Sequence, residues 1–175
     1  MKKVFLLIMP VILTLSFVSC FDGSIFGEDN VKIADETFGK IISAIESNDA
    51  SKIVELFSDM VKNEGDLPQA AIEFIDYMQG DIISFSSASV SGVGADVYSE
   101  SGKKRKEINT SFSINTTEST YYIAIKECTI DEFDENNVGV LSIYIVDSNN
   151  WPEEYVYRGD GKWLLGINIV NSQQQ

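Results

Sequence analysis

The chain predicts an α+β fold: three N-terminal helices packed on one face of a mostly antiparallel sheet. Three observations carry that expectation. Apolar residues between Ala34 and Met78 recur at a 3.6-residue spacing, the signature of amphipathic helices. From Asp81 onward the spacing changes to two, as in half-buried strands. The alternating segments are separated by turn signals such as Thr116-Thr117-Glu118 and Asp160-Gly161. Helices that all precede the strands belong on one face of a meander rather than between parallel strands.

In the first helix Ala34, Phe38, Ile41, Ile42 and Ile45 form one stripe. Ser47-Asn48-Asp49 turns the chain, and Asp49 is placed to cap the next helix by accepting from its free N–H groups. Ile53, Leu56, Phe57, Met60 and Val61 form the second stripe. Gly65 ends that helix in the left-handed conformation, and Asp66-Leu67-Pro68 opens the third. Its stripe is Ala71, Phe74, Ile75 and Met78, closed by Gly80. Ile82–Val93 is expected as the first strand, ended or bulged at Ser91–Gly94. Lys103-Lys104-Arg105-Lys106 then forms a basic tip, and Ile108–Asn115 alternates cleanly. Tyr121–Ile130 and Val138–Val146 are two strong strands joined by Asp131–Asn137. Tyr155–Tyr157 and Trp163–Val170 flank a hairpin turn at Arg158–Gly161, and 171–175 is a polar tail.

At 175 residues, 44% hydrophobic and 23% charged, the chain can bury one core and is not a disordered protein. Its formal net charge of −14 disfavours non-specific contact with nucleic acid or bare anionic lipid. The absence of histidine removes His-based triads and His metal sites. The two cysteines, Cys20 and Cys128, are too few for a disulfide framework and lack zinc spacing. No cofactor or metal is expected.

Met1-Lys2-Lys3 followed by the apolar Val4–Phe17 has the form of a signal peptide and is too short for a spanning helix. Phe17-Val18-Ser19-Cys20 resembles a lipobox. In bacterial lipoproteins that resemblance implies cleavage before Cys20 and a diacylglycerol thioether on it, whose two acyl chains give a stable anchor where one would not. An ordinary secretory peptide cut near Ser19 is the alternative. The expected organisation is a signal peptide at 1–19, anchor and tether at 20–30, one domain at 31–170 and the tail.

The opening residues Ala34, Phe38, Ala44, Ile45, Asp49, Ile53, Leu56, Phe57 and Ser58, with the closing Asp160-Gly161-Lys162-Trp163-Leu164-Leu165, resemble a nuclear transport factor 2-like domain. With the lipobox, the chain is similar to lipoproteins of Gram-positive gut bacteria that carry this fold. The resemblance covers about 31–170 and implies a curved, cone-like sheet with the helices on its concave face. That family uses one cone for isomerases, dehydratases, ligand carriers and protein contacts, so the fold does not name an activity.

Tyr121, Ile123 and Ile125 are expected to face inward, and a period of two brings Glu127 to the same face. Glu127, Tyr121, Tyr77, Phe74, Tyr144 and Trp163 are the candidates for lining a ligand cavity. For Glu127, and for Asp35, Asp59 and Asp76 beside the helix stripes, the plainer expectation is a solvated carboxylate. Asp131, Glu132, Asp134 and Glu135 lack calcium-loop spacing and read as an acidic turn. The basic tip fits either anionic head groups or the protein's own acidic surface. Cys128 alternates with Glu127 and is expected half-buried on the convex side.

The chain therefore reads as a non-enzymatic binding domain, anchored through lipidated Cys20 on the extracytoplasmic face of the cell membrane. It would hold a small ligand or a protein. The rivals are an enzyme using cone carboxylates and a structural homodimer. No nucleic-acid partner is expected.

Overall fold

The computed structural model describes residues 28–87, 93–151 and 164–170. Helix α1 spans Glu28–Glu46, α2 Ala50–Leu56, α3 Asp59–Lys62 and α4 Leu67–Tyr77. The first stripe is buried as expected, with Ala34, Phe38, Ile41 and Ile42 in the core and Ile45 packed against it. The helix begins at Glu28, inside the segment read as tether, and Asn30 is already buried. Asp49 caps α2 by accepting from the Ser51 N–H at 3.2 Å. Asp66 does the same for α4 through the Gln69 N–H at 3.3 Å, with Pro68 in its first turn. No helix among the described residues is long and apolar enough to cross a membrane.

The second stripe is not one helix. Ile53, Phe57 and Val61 are buried, but α2 stops at Leu56 and Phe57 turns extended. Phe57 bridges Val140 in parallel, and the Ser58 N–H donates to the Val140 carbonyl at 3.0 Å. The Ser58 hydroxyl then accepts from the Val61 N–H and restarts the chain as α3. A strand with an open stretch of backbone accounts for the break: its hydrogen bonds replace those the helix gives up.

Six strands are described: β1 Ile82–Phe85, β2 Val93–Glu100, β3 Lys103–Thr116, β4 Thr120–Asp131, β5 Gly139–Asp147 and β6 Gly166–Val170. The sheet order is β1-β3-β4-β5-β6, with β2 also paired to β3. All pairings are antiparallel except β5 with β6, which run parallel from Ser142↔Gly166 to Val146↔Val170. β6 thus reaches no further than Ser142, and Phe57-Ser58 bonds the strand beyond it. The fold is the expected α+β one, helices first and then a curved, mostly antiparallel sheet.

Two local expectations are corrected. Val93 begins a strand rather than ending one. Its sequence is poor in β-formers, and pairing with the long β3 supplies what propensity lacks. The basic run is not a tip: Lys103–Lys106 is the first part of β3, and the two-residue turn is Ser101-Gly102, both at positive φ. That is the backbone a tight hairpin needs, and it matches strand twist. The last strand pairs with β5 in parallel. Tyr155–Tyr157, the Arg158–Gly161 turn and the tail lie outside the described residues.

Phe38 lies face to face on Phe112 of β3, with ring centroids 3.9 Å apart. Phe38, Phe57, Phe74, Phe112 and Tyr121 are each 2% exposed or less and pack in one core with the inward-facing isoleucines of β3, β4 and β5. The surface expected to hold a ligand is occupied by side chains along this length.

Candidate functional site

Tyr121, Ile123 and Ile125 are buried together, as the alternation predicts. Glu127 shares their face: it pairs with buried Ile108, and its Oε2 accepts from the Thr37 hydroxyl of α1 at 2.8 Å. Ladder irregularities flank it, between Lys106 and Glu107 toward β4 and between Lys126 and Glu127 toward β5. Burial pushes the Glu127 carboxyl above its ordinary value, and the Thr37 hydrogen bond and the Lys40 charge offset only part of that. Glu127 is therefore half-buried rather than in open water.

The remaining candidates do not converge on it. Tyr121 is six residues away along β4, roughly 20 Å at strand rise. Phe74 is wholly buried in the core. Tyr77 packs edge-on against Tyr121 at 5.9 Å, and its hydroxyl lies 3.4 Å from the Val170 carbonyl, which accepts from it. Burial first, and the Asp147 charge as well, raise the Tyr77 pKa. Tyr144 pairs with Ala124 and so faces away from Tyr121; its hydroxyl oxygen accepts from the Leu164 N–H at 2.8 Å. Trp163 and Cys20 lie outside the described residues. Asp59 and Asp76 are exposed, as expected.

The opposite face holds an ion cluster. Glu107 is 3% exposed and takes an ion pair from Lys126 at 2.7 Å and another from Arg105. Arg105 also reaches Asp131 at 3.5 Å. Cys128, in register with Glu107, is fully buried rather than half-buried. Burial first, and the Asp131 and Glu107 charges as well, raise its pKa against the opposing Arg105 charge, which disfavours the thiolate. Asp131 is a structural acid: Oδ1 accepts from the Phe133 and Asp134 N–H groups, and Oδ2 from the Asn137 amide. The acidic turn is thus held by its own hydrogen bonds. No cluster of metal-ligating side chains occurs among the described residues.

A concave site does exist, at the end of the sheet where β4 begins and β5 ends. It is an open cleft of about 480 Å³ with a mainly polar lining. Gln79 and Gly80, following α4, form one wall; Glu118 and Ser119 of the β3–β4 turn form another. Gly80 has φ +83, and a Cβ there would lie 2.5 Å from the Thr117 hydroxyl and 2.8 Å from Glu118, so only glycine lets these walls approach. Asp147, Asn149 and Asn150 close the cleft, and Tyr121 reaches it from the core.

The lining is internally organised. The Ser119 hydroxyl donates to Asp147 Oδ1, which also accepts from the Asn149 N–H at 2.9 Å. Asp147 Oδ2 accepts from the Asn150 amide, and the Asn149 amide donates to Ser119, both at 2.9 Å. The Tyr121 hydroxyl oxygen accepts from the Gln79 N–H at 2.9 Å. Next in the chain stands Trp151, 43% exposed, edge-to-face with Tyr122 at 5.5 Å. Of the sequence candidates among the described residues, only Tyr121 lines this cleft. The others in it read as turn residues, and Thr117–Ser119 and Asp147–Asn150 carry no sign that the two turns meet.

An α+β domain with a helix-covered sheet and a polar cleft at one sheet end is the class these observations define. The chain belongs to the family described as Domain of unknown function (DUF5104), which matches residues 40–148, more than half its length. The match takes in the cleft residues from Gln79 to Asp147 and stops just before Asn149. No curated protein matches the chain.

Proposed function

We propose that this chain is a lipid-anchored extracytoplasmic binding domain, read as nuclear transport factor 2-like in fold, whose ligand sits in the polar cleft at the sheet end. The observation that carries the reading is Phe17-Val18-Ser19-Cys20 directly after an apolar segment that follows two lysines. The thiol of Cys20 would become the thioether, and the acyl chains would hold the domain at the membrane while its net negative charge keeps it off the lipid surface.

Support for binding over catalysis comes from where the acids stand. An acid–base enzyme in the cone needs a carboxylate and a tyrosine within hydrogen-bond reach of one substrate atom. Glu127 and Tyr121 stand six residues apart along β4, and Asp147 spends both oxygens on Ser119, Asn149 and Asn150. A fixed polar lining suits ligand recognition.

The test is metabolic labelling of the full chain in a bacterium with radiolabelled palmitate. Wild type should take up label and fractionate with the membrane, and Cys20→Ala should lose both. Equal labelling of the two proteins would end the anchored reading.

A further inference from the structure

We infer that the cleft takes a small amine, with an ammonium group held between Asp147 and Glu118. The inference rests on the binding-domain reading and names its ligand class.

Asp147 carries the argument, because its charge is buried without a counter-charge. Three acids are buried among the described residues: Glu107, Asp131 and Asp147. Glu107 is paired with Lys126 and Arg105, and Asp131 with Arg105. Asp147 is 9% exposed, and among the described residues no lysine or arginine pairs with it. Its partners are the Ser119 hydroxyl, the Asn149 N–H and the Asn150 amide. These neutral donors hold the carboxylate but leave its charge uncompensated, and a buried charge is costly unless it is paired. Asp147 lines the cleft, so a cation can reach it from there.

Glu118 lines the same cleft, one residue before Ser119, and is exposed. Its N–H donates to the Thr116 hydroxyl oxygen, while its carboxylate takes neither a hydrogen bond nor an ion pair among the described residues. No lysine or arginine is among the described residues of the lining. Two uncompensated negative charges, in a protein of net charge −14, draw cations in and repel anions.

The geometry at Asp147 selects the kind of cation. A carboxylate has about four lone-pair sites. Oδ1 accepts from Ser119 and Asn149 and Oδ2 from Asn150 alone, which leaves one site on Oδ2. The parallel fork of a guanidinium needs both oxygens of a carboxylate. An ammonium donates to one oxygen and turns its other N–H groups elsewhere. Glu118 can accept these, as can the side-chain carbonyl oxygens of Gln79, Asn149 and Asn150, whose amides are engaged only as donors. A calcium ion wants about six to eight oxygens, and no cluster of metal-ligating side chains occurs among the described residues. The cleft volume of about 480 Å³ suits a small organic molecule.

The test is calorimetric titration of the full chain in non-ionic detergent with putrescine and spermidine, with argininamide, calcium chloride and citrate as comparators. At least one amine should bind, and more tightly than argininamide or calcium. Glu118→Gln and Asp147→Asn should each weaken it tenfold or more. The Glu118 carboxylate holds nothing in place, so the melting temperature of Glu118→Gln should stay at the wild-type value, and this variant decides the site should Asp147→Asn loosen the turn. Glu135→Gln removes the same charge from the loop between β4 and β5, at the other end of both strands, and should leave binding unchanged. Equal weakening by Glu135→Gln would mean that the amine reads overall charge and overturns the site, as does amine binding that survives Glu118→Gln. Tighter binding of argininamide, calcium or citrate than of either amine overturns the ligand class, as does silence across the panel. Palmitate labelling reads the anchor independently, so the ligand class and the anchored reading fail separately.

Discussion

Glu127 carries a charge that its surroundings only partly support. Thr37 and Lys40 face it from α1, Ile108 from β3 and Val140 from β5. Its folded pKa lies above the ordinary glutamate value because burial outweighs the Thr37 hydrogen bond and Lys40. Below the unfolded pKa, about 4.3, the side chain is neutral in both states and costs nothing. As pH rises from there toward the folded pKa the unfolded chain ionises first, so native stability falls and then levels off. Glu127→Gln keeps an oxygen for Thr37 and removes the charge. Urea melts at pH 4, 5.5 and 7 should show the variant gaining on wild type as pH rises, with little pH-dependent gain near pH 4. A difference that stays flat across this range would mean that Glu127 is solvated.

Among the elements, the junction of α2, α3 and β5 carries the largest expected effects. Phe57 leaves the helix to bridge Val140, yet its ring is 2% exposed. Phe57→Ala should cost about 3–5 kcal/mol, the range for truncating a buried aromatic. Denaturant unfolding checks it, and a loss below about 1 kcal/mol would place the ring in solvent. Gly139 makes the same junction possible from the other side. Its φ is +127, and a Cβ would lie 2.8 Å from the Ser58 nitrogen and 3.1 Å from the Leu56 carbonyl oxygen, both backbone atoms that cannot swing aside. Gly139→Ala combines a disfavoured φ with that clash and should cost about 2–3 kcal/mol or more. Equal stability of variant and wild type would show that the helix break does not depend on this approach.

The whole molecule is acidic, and the basic run does little to change its surface. Arg105 is committed to Glu107 and Asp131, and Lys103 lies over the Phe133 ring at 5.9 Å. Lys104 and Lys106 are held within a paired strand. With a net charge of −14, the Cys20→Ala protein should stay in solution beside anionic membranes. Sedimentation of Cys20→Ala with phosphatidylglycerol vesicles at 0.1 M salt measures this. Pelleting with the vesicles would show that the basic run reaches head groups after all.

Periodicity determined a great deal by itself. The stripe of α1, the Asp49 cap, the left-handed Gly65 and the inward register of β4 all follow from local rules, because each depends on neighbours within a few residues. Period two even brought Glu127 to the correct face. Tertiary structure decided the rest. The second stripe breaks at Phe57 because β5 offers hydrogen bonds there, a fact held nowhere in the helix's own sequence. Val93–Glu100 becomes a strand because β3 is long enough to pair it, and β6 runs parallel because of where the chain returns to β5. The cleft has the same origin. Ser119 and Asp147 are ordinary turn residues in sequence, and the Tyr121↔Asp147 pairing of two strands sets them side by side. Alternation can say which face a side chain takes; only the closure of a long loop says which distant turn it will meet.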